Sequence, residues 1–227
     1  MNMACISLRS LLSQKKLRII AIAVTLLSVT GCARMVTVTI PPRIDLASYP
    51  AIGLVEFVPK RPGRLGADAT RKFINDLHAA QPGIRILELG SQSDLLKEAG
   101  YDKLDFKAIK AIGDHYGVAA LMTGTVELTE PQPDVRFSTD FQSLSAGVKA
   151  KVNGRMSAKL WETASGVTLW SNSSWGNWTV GGLSLGSNGN VNAGYNYPLE
   201  KQDQILTELV KALNGDFWPS LEKREAD

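Results

Sequence analysis

The sequence predicts an α+β fold in which helices pack on a mixed sheet. The near-continuous apolar run at residues 51–58 is typical of a buried strand. Apolar residues then recur every fourth position from Leu65 to Leu77, which predicts an amphipathic helix. From residue 135 the period changes to two, which predicts long antiparallel strands. Strand–helix units followed by hairpins and a last helix are typical of helices on a mixed sheet.

The first half of the chain contains two strand–helix units. Gln81-Pro82-Gly83 ends the first helix, and Ser91 with Asp94 has capping-box spacing before a short helix. Asp105 can cap the next helix, which Gly117 ends. The further elements expected here are a strand at 84–89, a helix at 95–99, the helix after Asp105 and a strand at 118–126.

The second half alternates apolar and polar residues over long stretches. Thr163-Ala164-Ser165-Gly166 predicts a hairpin turn. A segment rich in glycine and asparagine follows, and we expect a hairpin insertion over 175–197 within the domain. The expected strands are 135–142, 148–160 and 167–178, and a C-terminal helix covers 205–213.

The N-terminus has the features of a secretory signal. An apolar run at residues 19–29 follows four basic residues, and it is too short to span a bilayer. Val29-Thr30-Gly31-Cys32 resembles the bacterial lipobox, whose cysteine takes a diacylglycerol and whose new N-terminus is acylated, for example with palmitate. We therefore expect a signal peptide at 1–31, lipidation of Cys32 and a lipid-anchored tether at 32–49. By resemblance to Gram-negative lipoproteins, Ala33 after the cysteine favours the periplasmic face of the outer membrane.

Composition narrows the possible chemistry. Four of the 25 basic residues and none of the 22 acidic ones precede Cys32, so the mature chain has a net charge of about −1. No basic cluster indicates a nucleic-acid partner. Cys5 lies in the signal and Cys32 is expected to be acylated, which excludes disulfides, cysteine-ligated metals and a cysteine nucleophile. We expect no cofactor and no metal, and His78 and His115 to be surface or packed residues.

Three segments carry a family resemblance. "SQSDLLKEAGYDKLDFKAIKAIGDHYGVAALMTGTV", "KLWETASGVTLWS" and "ILTELVKALNGDFWPS" resemble segments of the curli-secretion lipoprotein family (CsgG) and its relatives, which include LpoB and the TolB N-terminal domain. The resemblance implies an anticodon-binding-domain-like α/β sandwich. It also implies one domain over 50–221, a tail at 222–227, and envelope proteins rather than tRNA as partners.

A hydrolase is a remote alternative. Gly182-Leu183-Ser184-Leu185-Gly186 matches G-x-S-x-G, which works only on a strand-to-helix turn with a histidine later in the chain. Asn188-Gly189 predicts a turn instead, and both histidines lie upstream. We therefore expect no enzyme activity.

Two other classes of function fit the sequence. The first is an accessory lipoprotein that docks another envelope assembly or secretion protein. The second is an oligomeric pore subunit of the curli-secretion type, in which each protomer lends alternating hairpins to a shared structure. Exposed apolar and aromatic residues would serve either class. The candidate partner-binding residues are Trp175, Trp178, Leu183, Leu185, Tyr195 and Tyr197.

Overall fold

A computed structural model describes residues 35–134, 148–183 and 199–225. The expected fold class is confirmed, since helices pack on a mixed sheet with a long antiparallel hairpin. In chain order the elements are β1 (Met35–Ile40), β2 (Ile52–Val55), β3 (Val58–Pro59), α1 (Leu65–Ala80), β4 (Ile86–Gly90), α2 (Gln92–Ala99), α3 (Phe106–Tyr116), β5 (Ala120–Leu128), β6 (Gln132–Asp134), β7 (Val148–Glu162), β8 (Thr168–Leu183), α4 (Leu199–Leu213) and β9 (Ser220–Glu225). Short 3-10 turns lie at Leu46–Ser48 and Gly215–Phe217.

Seven strands form the main sheet, in the order β4-β2-β5-β7-β6, with β3 beside β5 and β8 beside β7. β2 is parallel to both β4 and β5, as expected for strands joined through helices. β5 and β7 are antiparallel, and β7 pairs with β8 from Val148↔Leu183 to Trp161↔Thr168. One half of the sheet is therefore parallel, and the other half is a long hairpin.

The two sides of the sheet are covered differently. On one side, α1 and α4 bury the larger cluster, which includes Phe73, Leu77, Met156 and Leu209. On the other side, α2 and α3 bury a smaller cluster over the parallel half. Its members are Val55, Leu95, Ile109, Ile112 and Leu121, with Trp161 packed against them. The α2/α3 cluster therefore ends near the row of Trp161, and most of the hairpin lies beyond it.

Capping residues set the ends of α2 and α3. The Ser91 hydroxyl accepts a hydrogen bond from the Asp94 amide, and the Asp105 carboxylate accepts one from the Ala108 amide. Gly100 and Gly117 end α2 and α3 in the left-handed conformation, with φ of 73° and 64°. α2 begins at Gln92, three residues before the expected 95–99, because the cap at Ser91 sets its start.

Part of the segment expected as a tether, 32–49, belongs to the main compact unit. Residues 41–220 form one compact unit, in which Leu46 is fully buried. Gln81 explains this, because its Oε1 accepts from the Leu46 amide at 2.7 Å and its Nε2 donates to the Ile44 carbonyl at 2.6 Å. β1 and β9 pair in a separate two-stranded sheet, so a strand occupies most of the expected tail 222–227.

The expected insertion at 175–197 overlaps the main sheet. β8 continues to Leu183, and Val180 is buried in the larger cluster. Glycine weakens isolated strands, but cross-strand pairing with β7 overrides that local preference. The expected strand 135–142 and the rest of the insertion from 184 onward lie outside the described residues. Among the described residues, no helix is long and apolar enough to cross a membrane.

Candidate docking face

The outward side of the hairpin is polar and exposed. From Ala150 to Leu160 of β7 and from Trp170 to Val180 of β8, the even-numbered residues point to α1 and α4, because side chains alternate across a strand. The odd-numbered residues point to the other side, beyond the reach of the α2/α3 cluster. We call this surface the Trp175 face. It comprises Lys151, Asn153, Arg155, Ser157 and Lys159 of β7, and Ser171, Ser173, Trp175, Asn177 and Thr179 of β8.

Arg155 and Trp175 are directly opposite each other at the middle of the hairpin. The Trp175 side chain is 76% exposed, more than any other large hydrophobic residue described. Directly opposed residues of an antiparallel pair have Cβ atoms about 5 Å apart, so an indole and a guanidinium lie side by side. Tryptophan and arginine are the residue types most enriched at binding hot spots.

A shallow cavity of about 300 Å³ lies beside this pair. Gly154 and Gly176, which pair across the two strands, contribute backbone to its lining. The other lining residues are Glu127, Thr129, Asn153, Arg155, Trp175 and Asn177. The cavity therefore combines one aromatic surface with hydrogen-bonding groups and both signs of charge, and it can receive a polar side chain of a partner.

Trp178 lies on the opposite side of the sheet from Trp175. Its indole Nε1 donates a 2.6 Å hydrogen bond to the Glu208 carboxylate of α4. The ring lies against Gly154 and Gly176, where an added Cβ would come within 2.9 Å and 2.3 Å of it. The two glycines thus make room for Trp178, which packs against the larger cluster.

The charged side chains on and beside the Trp175 face differ in whether they have an ion-pair partner. The Glu127 carboxylate is paired with Lys60 at 2.7 Å. Among the described residues, neither Arg155 nor Lys159 has a carboxylate within ion-pair distance. Lys159 Nζ instead lies 5.3 Å from the centre of the Trp161 ring. Arg155 and Lys159 are therefore cations of this face that no described acidic residue neutralises.

Four of the other predicted site residues are not described. Leu185, Tyr195 and Tyr197 lie outside the described ranges, as does Cys32. The backbone of Leu183 ends β8 and pairs with Val148. Of the predicted partner-binding residues, Trp175 is therefore the one that the structure places on an exposed face.

The groups that could support catalysis are dispersed. Gly182 and Leu183, the first residues of the G-x-S-x-G match, lie in an antiparallel strand, and Ser184 is outside the described residues. His78 is exposed on α1. His115 lies on α3, and its Nε2 is 3.3 Å from the carboxylate of Glu98 on α2. In the described part of the chain, no group of histidine, cysteine and acidic residues could hold a metal ion.

The sequence did not single out Arg155. Alternation in 148–160 places it on the polar side of a strand, together with Lys151 and Lys159. What places it beside Trp175 is the cross-strand register, which depends on residues twenty positions apart. A turn at 163–166 is the one local signal that could have suggested this pairing.

Comparison with known proteins gives structural likeness. No protein-family model and no curated protein matches the chain. The solved structures similar to it include bacterial lipoproteins. The PelC dodecamer from Paraburkholderia phytofirmans is 13% identical over 81% of this chain and 96% of that chain, with a TM-score of 0.38.

Two further structures show the same level of likeness. Lipoprotein GNA1162 from Neisseria meningitidis is 16% identical over 71% of this chain and 95% of that chain, with a TM-score of 0.39. The LpoB C-terminal domain from Salmonella enterica is 12% identical over 67% and 90%, with a TM-score of 0.34. Likeness at this level carries no inference about function, so the residues around Trp175 alone support the function inferred below.

Proposed function

We propose that this protein is a lipoprotein anchored through Cys32 at the periplasmic face of the outer membrane, where its domain is a non-enzymatic accessory module. It binds an envelope assembly or secretion protein through the Trp175 face. The observation that carries this proposal is the 76% exposure of Trp175, midway along β8 on the outward side of the hairpin. Leaving so large an apolar group in water is unfavourable, and burying it against a partner recovers that free energy.

The surroundings of Trp175 fit a protein contact. Arg155 adjoins it, and small polar residues surround the pair: Asn153, Ser157, Ser173 and Asn177. Binding hot spots have this arrangement, in which aromatic and arginine anchors are ringed by contacts of little energy that exclude water. A stable sheet also presents these side chains without much ordering cost.

Site-specific photo-crosslinking in living cells tests this function. A benzophenone side chain replaces Ser173 or Thr179 on the Trp175 face, and Lys107 on α3 serves as the exposed control position. We expect irradiation of the full chain to give the same discrete adduct at Ser173 and Thr179 and none at Lys107. Trp175→Ala should remove most of the adduct formed at Ser173.

Two results would contradict the proposed function. The first is the lack of any discrete adduct at either position on the Trp175 face. The second is an adduct whose yield is equal at Lys107 or unchanged by Trp175→Ala. A thermal melt of each variant checks that its domain is folded.

A further inference from the structure

The Trp175 face has an excess of positive charge. The described residues that point to this side from β5, β7 and β8 include two cations without an ion-pair partner among the described residues, Arg155 and Lys159, and one carboxylate, Glu127. Lys60 already neutralises Glu127 at 2.7 Å. The whole chain, by contrast, has 25 basic and 22 acidic residues, so this excess is a local property.

We propose that the segment bound at the Trp175 face is an acidic stretch of the partner protein, with one carboxylate held by Arg155 beside Trp175. This inference rests on the proposed function and adds the chemistry of the partner. The Arg155 guanidinium has no carboxylate partner among the described residues. Its planar group can therefore bind an incoming carboxylate through two parallel hydrogen bonds.

The spacing of the cations defines the partner further. Arg155 and Lys159 are four residues apart on one strand, which corresponds to about 13 Å. Lys159 lies opposite Ser171, whose small side chain leaves the ammonium accessible from the β8 edge. Two carboxylates about 13 Å apart on the partner would therefore meet both cations, while an apolar or amide group lies on Trp175.

Other anionic surfaces fit this face less well. Trp175 is the one large hydrophobic residue described as exposed on it, whereas a surface that enters lipid buries a contiguous apolar area. An acidic polysaccharide could meet the cations. However, the pairing of tryptophan with arginine inside a ring of small polar residues is the pattern of a protein hot spot.

Binding of three anionic probes to the full chain tests the inference. The probes are poly-L-glutamate, polygalacturonate and phosphatidylglycerol vesicles, offered to protein held in phosphatidylcholine nanodiscs. We expect poly-L-glutamate to bind, and Arg155→Glu and Lys159→Glu each to weaken its binding about tenfold. Lys107→Glu makes the same charge change at an exposed site on α3 and should leave binding unchanged.

Arg155→Lys separates the fork from the charge. It keeps the positive charge but cannot bind a carboxylate through two parallel hydrogen bonds, so we expect an intermediate loss of affinity. Thermal melts confirm that the variants are folded, as expected for exposed positions.

Several results would overturn the inference. The first is that poly-L-glutamate does not bind. The second is that Lys107→Glu weakens poly-L-glutamate binding as much as Arg155→Glu does. The third is that polygalacturonate or the vesicles, but not poly-L-glutamate, bind in an Arg155-dependent way. The cellular crosslink distinguishes this failure from failure of the proposed function. If a Trp175-dependent adduct persists in Arg155→Glu and Lys159→Glu, the proposed docking function stands and the acidic partner is contradicted. If the parent chain gives no adduct, both the proposed docking function and the acidic partner are contradicted.

Discussion

Trp175 and Trp178 are three residues apart on one strand and point to opposite sides of the sheet. Trp175 lies in solvent opposite Arg155, whereas Trp178 lies against α4 and donates a hydrogen bond to Glu208. The alternation of a β-strand separates their roles, because adjacent positions face opposite sides and an odd separation reverses the direction. Two tryptophans in one short stretch of β8 therefore give opposite predictions.

Trp175→Ala should leave the folded domain as stable as the parent. The side chain is largely exposed, and substitutions of that kind change the free energy of unfolding by about 0.5 kcal/mol or less. Chemical denaturation measures this, and the photo-crosslink at Ser173 measures partner binding in the same variant. A loss of several kcal/mol would show that Trp175 supports the fold instead of a partner.

Trp178→Ala should destabilise the domain by about 2–3 kcal/mol. The substitution removes an indole that fills the space over Gly154 and Gly176, and it leaves Oε2 of Glu208 without the indole donor. Full burial would give about 3–5 kcal/mol, and Trp178 is partly exposed. Urea denaturation followed by circular dichroism measures the difference.

Glu208→Gln serves as the control for Trp178→Ala. The amide oxygen can still accept from the indole, so we expect a loss below about 1 kcal/mol. If the two variants lose equal stability, the hydrogen bond rather than the packing of the ring is the main contribution of Trp178.

The sequence could predict the features that local signals set, but not those that depend on long-range pairing. The caps at Ser91 and Asp105 and the start of α1 at Leu65 depend on neighbouring residues, and the structure has them where the sequence indicates. The burial of Val180 depends on its pairing with Ala150, thirty positions away. Composition indicated a loose glycine-rich hairpin there, because glycine weakens isolated strands.

The same distinction applies to the residues of the candidate site. Trp175 could be chosen from sequence as a large residue near a glycine-rich segment. Alternation alone does not select its neighbour Arg155, because the register between β7 and β8, set by the turn at 163–166, decides which cation adjoins the indole. The burial of Leu46 was missed for a related reason, since the side chain of Gln81 binds the segment around it. A glutamine after a helix gives no such signal.

Gln81→Ala should destabilise the domain by about 2–4 kcal/mol. Gln81 is 8% exposed, and its side chain pairs with the Leu46 amide and with the carbonyls of Ile44 and Phe217. Alanine leaves these backbone groups unpaired, at a cost of about 1–3 kcal/mol for each one that stays buried. Thermal and urea denaturation measure the loss.

Gln204→Ala is the matched control for Gln81→Ala. Gln204 is exposed on α4, and within the described part of the chain its side chain bonds to those of Lys201 and Glu208. We expect a change within about 0.5 kcal/mol. Equal losses in the two variants would contradict a special role of Gln81 in holding residues 44–46.

Tyr116 should ionise above the ordinary range of a tyrosine. Its hydroxyl donates to Glu98 at 3.0 Å, and this hydrogen bond, then desolvation and the nearby charge of Glu98, raise its pKa from 10.0. Because the folded state holds the proton more tightly, this contribution to stability is present below pH 10 and is lost as pH rises through the folded-state pKa. Glu98→Gln should lower the pKa of Tyr116, as followed by the NMR shift of its ring carbon Cζ. An unchanged value would contradict the role of Glu98.

Cys32→Ala should release the protein from the membrane. The expected anchor consists of a diacylglycerol on the Cys32 thiol and an acyl chain on the new N-terminus, and alanine has no thiol to modify. A single acyl chain binds membranes only marginally, whereas several chains anchor stably. Cell fractionation, palmitate labelling and the mass of the mature chain measure the change. We expect loss of label, and Cys5→Ala provides the matched control because Cys5 lies within the expected signal peptide. A Cys32→Ala chain that is labelled, processed and retained in the outer membrane like the parent would show that another feature of the chain holds it there.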